Sequence, residues 1–281
     1  MQKSSIRTVR IFRRPGHTKA LEWERRIIAW LRKHQPSVRI THDAADLLIA
    51  LGGDGTIIEA TRRLAPESSL VLGLNLGTVG FLASVRVPSQ FLRALRLVFA
   101  GKFRTVPRMM LSITVTRAHS VVFESPCMNE VFIQHPFGTV AIDVLIGVTR
   151  VQSIRGTGVI AATPTGSTGY NLSAHGPIID PELQCVIITE VLDHNVPTPS
   201  MVIPSDKHIH FRIKDFRKRN TIHIDGARGL HDVILAIDGQ ALFPLEKSDT
   251  ITVTNSGRSY SLVELESSYF YTSLHEKFSL T

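Results

Sequence analysis

Between Thr8 and about residue 107, short apolar runs alternate with stretches of helical spacing. "TVRIF" is a compact apolar run, and in Lys19–His34 the residues Leu21, Ile27, Ile28 and Leu31 fall on one side of a helix. "ADLLIALGG" is apolar without interruption and ends in glycine, as expected of a strand covered on both faces of a parallel sheet. "SLVLGLN" repeats that pattern, and "SQFLRALRLVFAG" predicts a helix closed by Gly101. This alternation predicts a doubly wound α/β domain. From Arg108 the period changes to β-branched runs separated by turns: "LSITVT", "MNEVFIQ", "VAIDVLIG", "GVIAAT", "CVIIT", "HIHFRI", "TIHI" and "VILAIDG". That rhythm predicts an all-β, sandwich-like domain. The tail "SSYFYTSLHEKFSL" returns to helical spacing through Phe270, Leu274 and Phe278. The expected organisation is therefore an α/β domain over 1–107, a β-rich domain over 108–257, and a segment over 258–281 that packs back on the first. No Gly-, Ser- or Pro-rich linker, internal repeat or low-complexity tract interrupts it.

Composition changes this picture little, and charge narrows the partners. The chain has 281 residues, 43% hydrophobic and 20% charged, ordinary for a globular protein. Its net charge of +8 suits either nucleic acid or small polyanions such as nucleotides. The basic residues are scattered, with one knot at "KDFRKRN" (214–220) that reads as a solvated loop. No helix-turn-helix, zinc finger or aromatic RNA-binding pattern accompanies it, so no nucleic-acid partner is expected. No apolar run approaches the roughly 18 residues of a membrane helix. The Arg-rich opening faintly resembles a transit peptide, but Val9–Phe12 reads better as a strand. A cytoplasmic protein without a membrane partner is expected. Cys127 and Cys185 are too few for a disulfide scaffold or zinc cluster and read as buried thiols. His208, His210 and His223 read as members of exposed strand faces; His194 receives no role.

The chemistry concentrates in three loops. Gly52, Gly53 and Gly55 stand where the buried run ends, followed by a helix beginning near Thr56. Glycines there let a ligand approach the backbone, and amides backed by a helix N-terminus attract phosphate. Asp54, set among them, is repelled by phosphate unless it takes a proton from an attacking hydroxyl or shares a Mg²⁺ with the phosphates. An N-cap aspartate on a tight turn is the plainer alternative. The second loop, "GLNLGTVGFL" with Asn75, Gly77 and Phe81, is neither a Walker A nor a Rossmann motif. It reads equally as the other wall of a phosphate cleft or as a βα turn. The third, Thr163–Ser173, gathers five Ser/Thr hydroxyls and Tyr170 within eleven residues. It reads as a ligand-binding loop whose ring offers a stacking surface for a base.

GGDGT at 52–56, GLNLGTVGFL, Asn129-Glu130, TPTGSTGYNLSAHGP and IDGQ at 237–240 follow one another in the order of the NAD kinase family. The resemblance spans nearly the whole chain. GGDG alone is shared with lipid kinases, whereas the hydroxyl loop and the Asn-Glu pair are far more specific. The resemblance implies phosphoryl transfer to the 2′-hydroxyl of the adenosine ribose of NAD, with ATP or polyphosphate as donor and Mg²⁺ or another divalent cation as cofactor. It implies Asp54 as the base, and Gly52, Gly53, Thr56, Asn75 and Gly77 around the phosphates. Dinucleotide binding falls on Gly55, Phe81, Asn129, Glu130, Arg155, Thr157, Thr168, Gly169, Tyr170, Asn171, Leu172, Ser173 and Gln240. An amide and a carboxylate at 129–130 suit a diol. No side-chain metal site is implied. The family's habit of forming homodimers or tetramers is expected here too.

Three positions depart from the family pattern. Thr157 stands in "RGTG" where an aspartate is usual, and it lacks the charge that strengthens a hydrogen bond. Gly169 replaces an alanine. His175 replaces a glycine and reads as a surface side chain. Two alternatives to the kinase therefore stay open: a relative of this fold acting on another substrate or on NADH, and a dinucleotide sensor without catalysis. Asp54 argues against the sensor.

Overall fold

A computed structural model describes residues 6–64, 69–77, 80–193, 198–265 and 269–279; His194 lies outside them. The chain divides into two compact units, Met1–Arg108 with Ser259–Thr281, and Met109–Arg258.

The first unit begins with β1 (Thr8–Arg13), α1 (Thr18–His34), β2 (Arg39–Ile40), β3 (Leu47–Leu51), α2 (Asp54–Leu64), β4 (Leu70–Leu74) and α3 (Phe91–Phe99). The strands are parallel in the order β2-β1-β3-β4. All five β3 residues are buried, because side chains alternate between two covered faces. On one face Leu47, Ile49, Leu51, Leu72 and Leu74 pack with Trp23, Ile27 and Leu31 of α1 and with Phe91, Leu95 and Val98 of α3. Each such side chain contributes roughly 1.5–3 kcal/mol by leaving water. On the other face Ile57 of α2 lies so close to Gly73 that a side chain there would collide with it. A strand order that grows in both directions, with helices on both faces, is the doubly wound arrangement that the pattern predicted.

The helix ends follow local chemistry. The His17 ring nitrogen accepts the Ala20 amide at 3.2 Å, so α1 starts at Thr18. Past α3, Gly101 adopts φ +68°. The Gly101 and Lys102 amides return to Val98 and Leu97, closing the helix as glycine permits.

The second unit takes in most of β5 (Arg104–Arg117), then β6 (Ser120–Cys127), β7 (Glu130–Gln134), β8 (Val140–Ile146), β9 (Thr149–Ala162), the single turn α4 (Tyr170–Ser173), β10 (Cys185–Asp193) and β11 (Met201–Pro204). It continues with β12 (Ile209–Phe216), β13 (Ile222–His223), β14 (Leu230–His231), β15 (Val233–Ile237), β16 (Ala241–Leu245) and the start of β17 (Thr250–Glu264). Antiparallel pairing runs β16-β15-β7-β9-β8-β12-β17. Alternate residues, among them Ile113, Ile133, Ile142, Phe211 and Leu235, fill one core. Cys127 and Cys185 are buried thiols, and Cys127 Sγ donates to Asp238 Oδ1 at 3.6 Å. The end of β17 belongs to the first unit, where Ser261 and Leu262 pair in parallel with Leu70 and Val71 of β4, and α5 (Tyr269–Phe278) follows.

Three details differ from expectation. Lys214–Phe216 of the basic knot belong to β12, with Phe216 buried, so only 217–220 form a loop. His210 is half-buried and bonds Thr252 Oγ1 at 3.0 Å. The buried face of α5 is Tyr269, Phe270 and Ser273, while Phe278 is exposed. No described helix is long and apolar enough to cross a membrane.

Candidate active site

Chain order reverses between β1 and β3, since β1 leads to β2 on one side and β3 to β4 on the other. Ligands in open α/β sheets bind beyond the carboxyl ends at such a point. Gly52 leaves β3 with its amide bonded to Leu74 O, and a Cβ on it would lie 2.5 Å from Thr56 Oγ1. The Gly53 carbonyl accepts the Thr56 and Ile57 amides, which opens α2 at Asp54. Asp54 Oδ2 accepts the Phe81 amide at 2.7 Å and Oδ1 the Leu82 amide at 3.2 Å. The second glycine loop therefore grips the carboxylate of the first. A side chain on Gly80 would overlap that carboxylate, so glycine is required there on steric grounds. Asn75 turns inward and exchanges hydrogen bonds with Gly77 in the same loop.

Burial pushes the Asp54 carboxyl group above the usual carboxylate range, against the two amides and the charge of Lys277. The residue as a whole is half-buried, so the carboxyl group is the more enclosed part. Lys277, on α5, places its ammonium 4.8 Å from the Phe81 ring centre. A carboxylate of raised basicity, fixed at both oxygens, is equipped to receive a proton.

In the second unit Asp238, at φ +52°, holds the Asn-Glu pair in place. Its carboxylate accepts the Asn129 amide at 2.7 Å and the Met128 amide at 3.1 Å, and its own amide donates to Glu130 O. Thr163 Oγ1 donates to Met128 O at 2.6 Å, tying the hydroxyl loop to the same segment. Asn129 Oδ1, Glu130 Oε2 and Thr165 Oγ1 are buried without a partner among the described residues. Buried polar atoms are seldom left so, and two of these three only accept, which calls for a ligand that donates hydroxyls. Tyr170 is half-exposed and rests on Phe132 with ring centres 4.9 Å apart. Both line a cavity of about 150 Å³ with Glu130, Gln134, Ala236 and Gly239. Gly169 makes room for the pair, since a Cβ there would lie 2.6 Å from Glu130 Oε2.

Other candidates are placed differently. Asn171 is fully buried: its Nδ2 donates to Ser167 O and Pro177 O, and its Oδ1 accepts from Thr189. These three bonds pin the hydroxyl loop from within. Arg155 lines a separate basic cavity of about 390 Å³ with Arg217, Lys218 and Lys247, none of which borders the Tyr170 cavity. Thr157 is half-buried in β9 between Gly156 and Gly158, which have backbone too close for any side chain. Thr168 donates to Thr165 O within the loop; Leu172 is half-buried, Ser173 exposed and Gln240 half-buried beside Gly239.

His175 is exposed and adopts φ +61°, a conformation that explains the family's glycine. Left-handed geometry costs a side-chain-bearing residue roughly 1–2 kcal/mol, and glycine returns part of that in chain entropy. His175→Gly is expected to stabilise the protein by about 0.5–1 kcal/mol. A denaturant midpoint at or below that of the parent would refute this account.

Sequence reasoning passed over four residues. Gly80 and Asp238 sit inside quoted motifs but were not singled out. Lys277 was one charge on an amphipathic tail. Arg14 donates through Nη2 to Gly55 O at 3.1 Å and pairs with Glu59 at 2.8 Å, contacts 41 and 45 residues away that spacing does not reveal.

Comparison with known proteins accounts for these features together. The chain matches the ATP-NAD kinase N-terminal domain over residues 12–103 and the ATP-NAD kinase C-terminal domain over 128–265. It is 36% identical over 238 residues to an NAD kinase of Symbiobacterium thermophilum, covering 84% of this chain and 79% of that one. With an NAD kinase of Natranaerobius thermophilus it shares 33% over 268 residues, 88% of this chain and 89% of the relative. Its fold resembles yeast NADH kinase complexed with NADH (TM-score 0.85, 21% identity, 98% and 89% of the two chains). It also resembles an Archaeoglobus fulgidus NAD kinase in complex with ATP (TM-score 0.70, 22% identity, 97% and 98%). The glycine elbow and the Asn-Glu segment fall inside the two matched regions, and the chain belongs to the NAD kinase family.

Proposed function

We propose that this family member transfers the terminal phosphoryl group of ATP to the 2′-hydroxyl of the adenosine ribose of NAD, with Asp54 as the base. The observation that carries the substrate side is the pair of buried, unpartnered acceptors, Asn129 Oδ1 and Glu130 Oε2, beside a half-exposed tyrosine ring. A ribose diol donates to such acceptors and an adenine stacks on such a ring. On the donor side, Gly52–Thr56 and the start of α2 favour phosphate. The 2′-hydroxyl proton passes to Asp54 as the oxygen attacks phosphorus, and ADP leaves with the electrons of the broken bond.

Among the described residues no group of three His, Cys, Asp or Glu side chains is placed to hold a metal ion. Magnesium favours phosphate oxygens and water with one or two carboxylates, so these residues fit an ion carried by the donor, with Asp54 as the available carboxylate. Such an ion would neutralise phosphate charge. Inorganic polyphosphate offers the same chain to the elbow and belongs in the same test. Assembly into dimers or tetramers is part of the proposal and is read by light scattering.

NADH as the acceptor is a second reading, favoured by Thr157. Without a carboxylate at that position, a charge-assisted hydrogen bond to an amide or amino group of the dinucleotide is lost, and with it a source of preference between oxidised and reduced forms. The test is phosphorylation of NAD and NADH by the purified protein with Mg²⁺ and either ATP or polyphosphate. NADP formation is expected. Dinucleotide binding without either phosphorylated product would overturn the kinase reading in favour of the sensor.

A further inference from the structure

We infer that Arg14 binds the phosphate chain of the phosphoryl donor, an assignment that rests on the kinase reading of the glycine elbow. Arg14 is the first residue beyond β1, and because Arg13 pairs with Leu51 it stands level with Gly52. It therefore stands beside the elbow at the strand-order reversal, with its side chain against α2. Its guanidinium is held at two points, Nη2 on Gly55 O at 3.1 Å and Nε on Glu59 Oε2 at 2.8 Å. The missing side chain of Gly55 leaves the helix backbone open to it, with the Cβ position 3.6 Å from Nη2.

Two features separate a ligand-binding arginine from a surface ion pair. Two of its five N–H groups are used; the remaining three have no protein partner among the described residues, and the side chain is 48% exposed. Glu59 also pairs through Oε1 with Arg63 at 2.9 Å, so one carboxylate is shared by two guanidinium groups. The single charge of Glu59 therefore leaves Arg14 only partly neutralised. A fixed, only partly neutralised planar fork matches two phosphate oxygens better than a mobile ammonium does.

The test compares wild type with Arg14→Gln and Arg14→Lys. Steady-state kinetics use ATP and polyphosphate as donors, and calorimetry uses inorganic tripolyphosphate as the probe. Arg14→Gln should raise the donor KM roughly 10- to 100-fold for both donors and weaken tripolyphosphate binding by a similar factor. The KM for NAD should stay unchanged. Arg14→Lys should recover part of the loss, because charge returns without the fork. A merely structural role predicts a lower melting temperature with unaltered donor KM, and that result overturns the inference. So does a KM rise for ATP alone, which would place the contact on the nucleoside. If the wild type phosphorylates nothing, the kinase reading fails by itself. Arg14 is then judged on tripolyphosphate binding, and equal affinity of wild type and Arg14→Gln refutes it.

Discussion

Replacing Asp54 with asparagine is expected to lower kcat for NAD phosphorylation by about 10²–10⁴-fold while NAD binding persists. The carboxamide keeps the size of the carboxylate and loses its capacity to take the ribose proton. Its effect on folding is the balance of two opposed changes. Burial holds the ionised carboxyl group at a cost, which the neutral side chain avoids. The Phe81 and Leu82 amides both point at the side chain, and a carboxamide presents one acceptor and one NH₂, so one amide meets a donor and loses about 1–3 kcal/mol. The net shift in melting temperature is therefore small beside the loss of rate. The raised pKa also sets the sign of the pH dependence: wild-type kcat/KM declines on the acid side as Asp54 takes up a proton, and the variant's residual activity lacks that limb. A variant retaining more than a tenth of the wild-type kcat, with NAD affinity intact, would remove Asp54 from the role of base.

The elements most legible in the sequence are those in which one residue pattern has one physical cause. The uninterrupted apolar run of β3 announces a strand with two covered faces, and the glycines after it announce a turn that approaches something closely. β9 shows where legibility ends. Its last residues lie in the run GVIAAT (158–163), which predicts a strand, but the structure starts β9 at Thr149. Arg150, Gln152 and Ser153 hide the first half because both faces of residues 149–153 are exposed or half-buried, and polar side chains there resemble a loop. Arg14 was illegible for another reason: its partners are brought together by strand order, which no local pattern encodes. Asp238 was in plain view within IDGQ. Its task, holding the Asn129 and Met128 amides, depends on β15 lying beside β7. The glycines divide the same way. Gly101 is legible from its place after a helix, whereas the need for Gly80 appears only once Asp54 is seen against it.

Glu130→Gln is expected to make the protein more stable and a poorer enzyme. The Glu130 carboxyl group is pushed up to about 7, first by burial and then by the charge of Asp238, with the Tyr170 amide opposing. In the unfolded chain the same group titrates near its ordinary 4.5. Between those values the folded protein holds a proton that the unfolded chain has released, so stability falls as pH rises through that window and levels off above about 7. At 1.36 kcal/mol per unit, the full effect is on the order of 3 kcal/mol. Glutamine carries no charge to bury, and its carbonyl can still accept the Tyr170 amide. The variant should therefore exceed wild type in stability at pH 8, by an amount that shrinks toward pH 4.5, in urea titrations at several pH values. Its NH₂ group would occupy the place of an acceptor turned toward the ribose, and the KM for NAD should rise roughly 10-fold for the lost charge-assisted hydrogen bond. Equal stability at pH 8 would refute the burial account, and an unchanged KM would remove Glu130 from the ribose. If both effects appear, the buried charge of Glu130 is strain kept for binding NAD, the same trade that the raised pKa of Asp54 implies for catalysis.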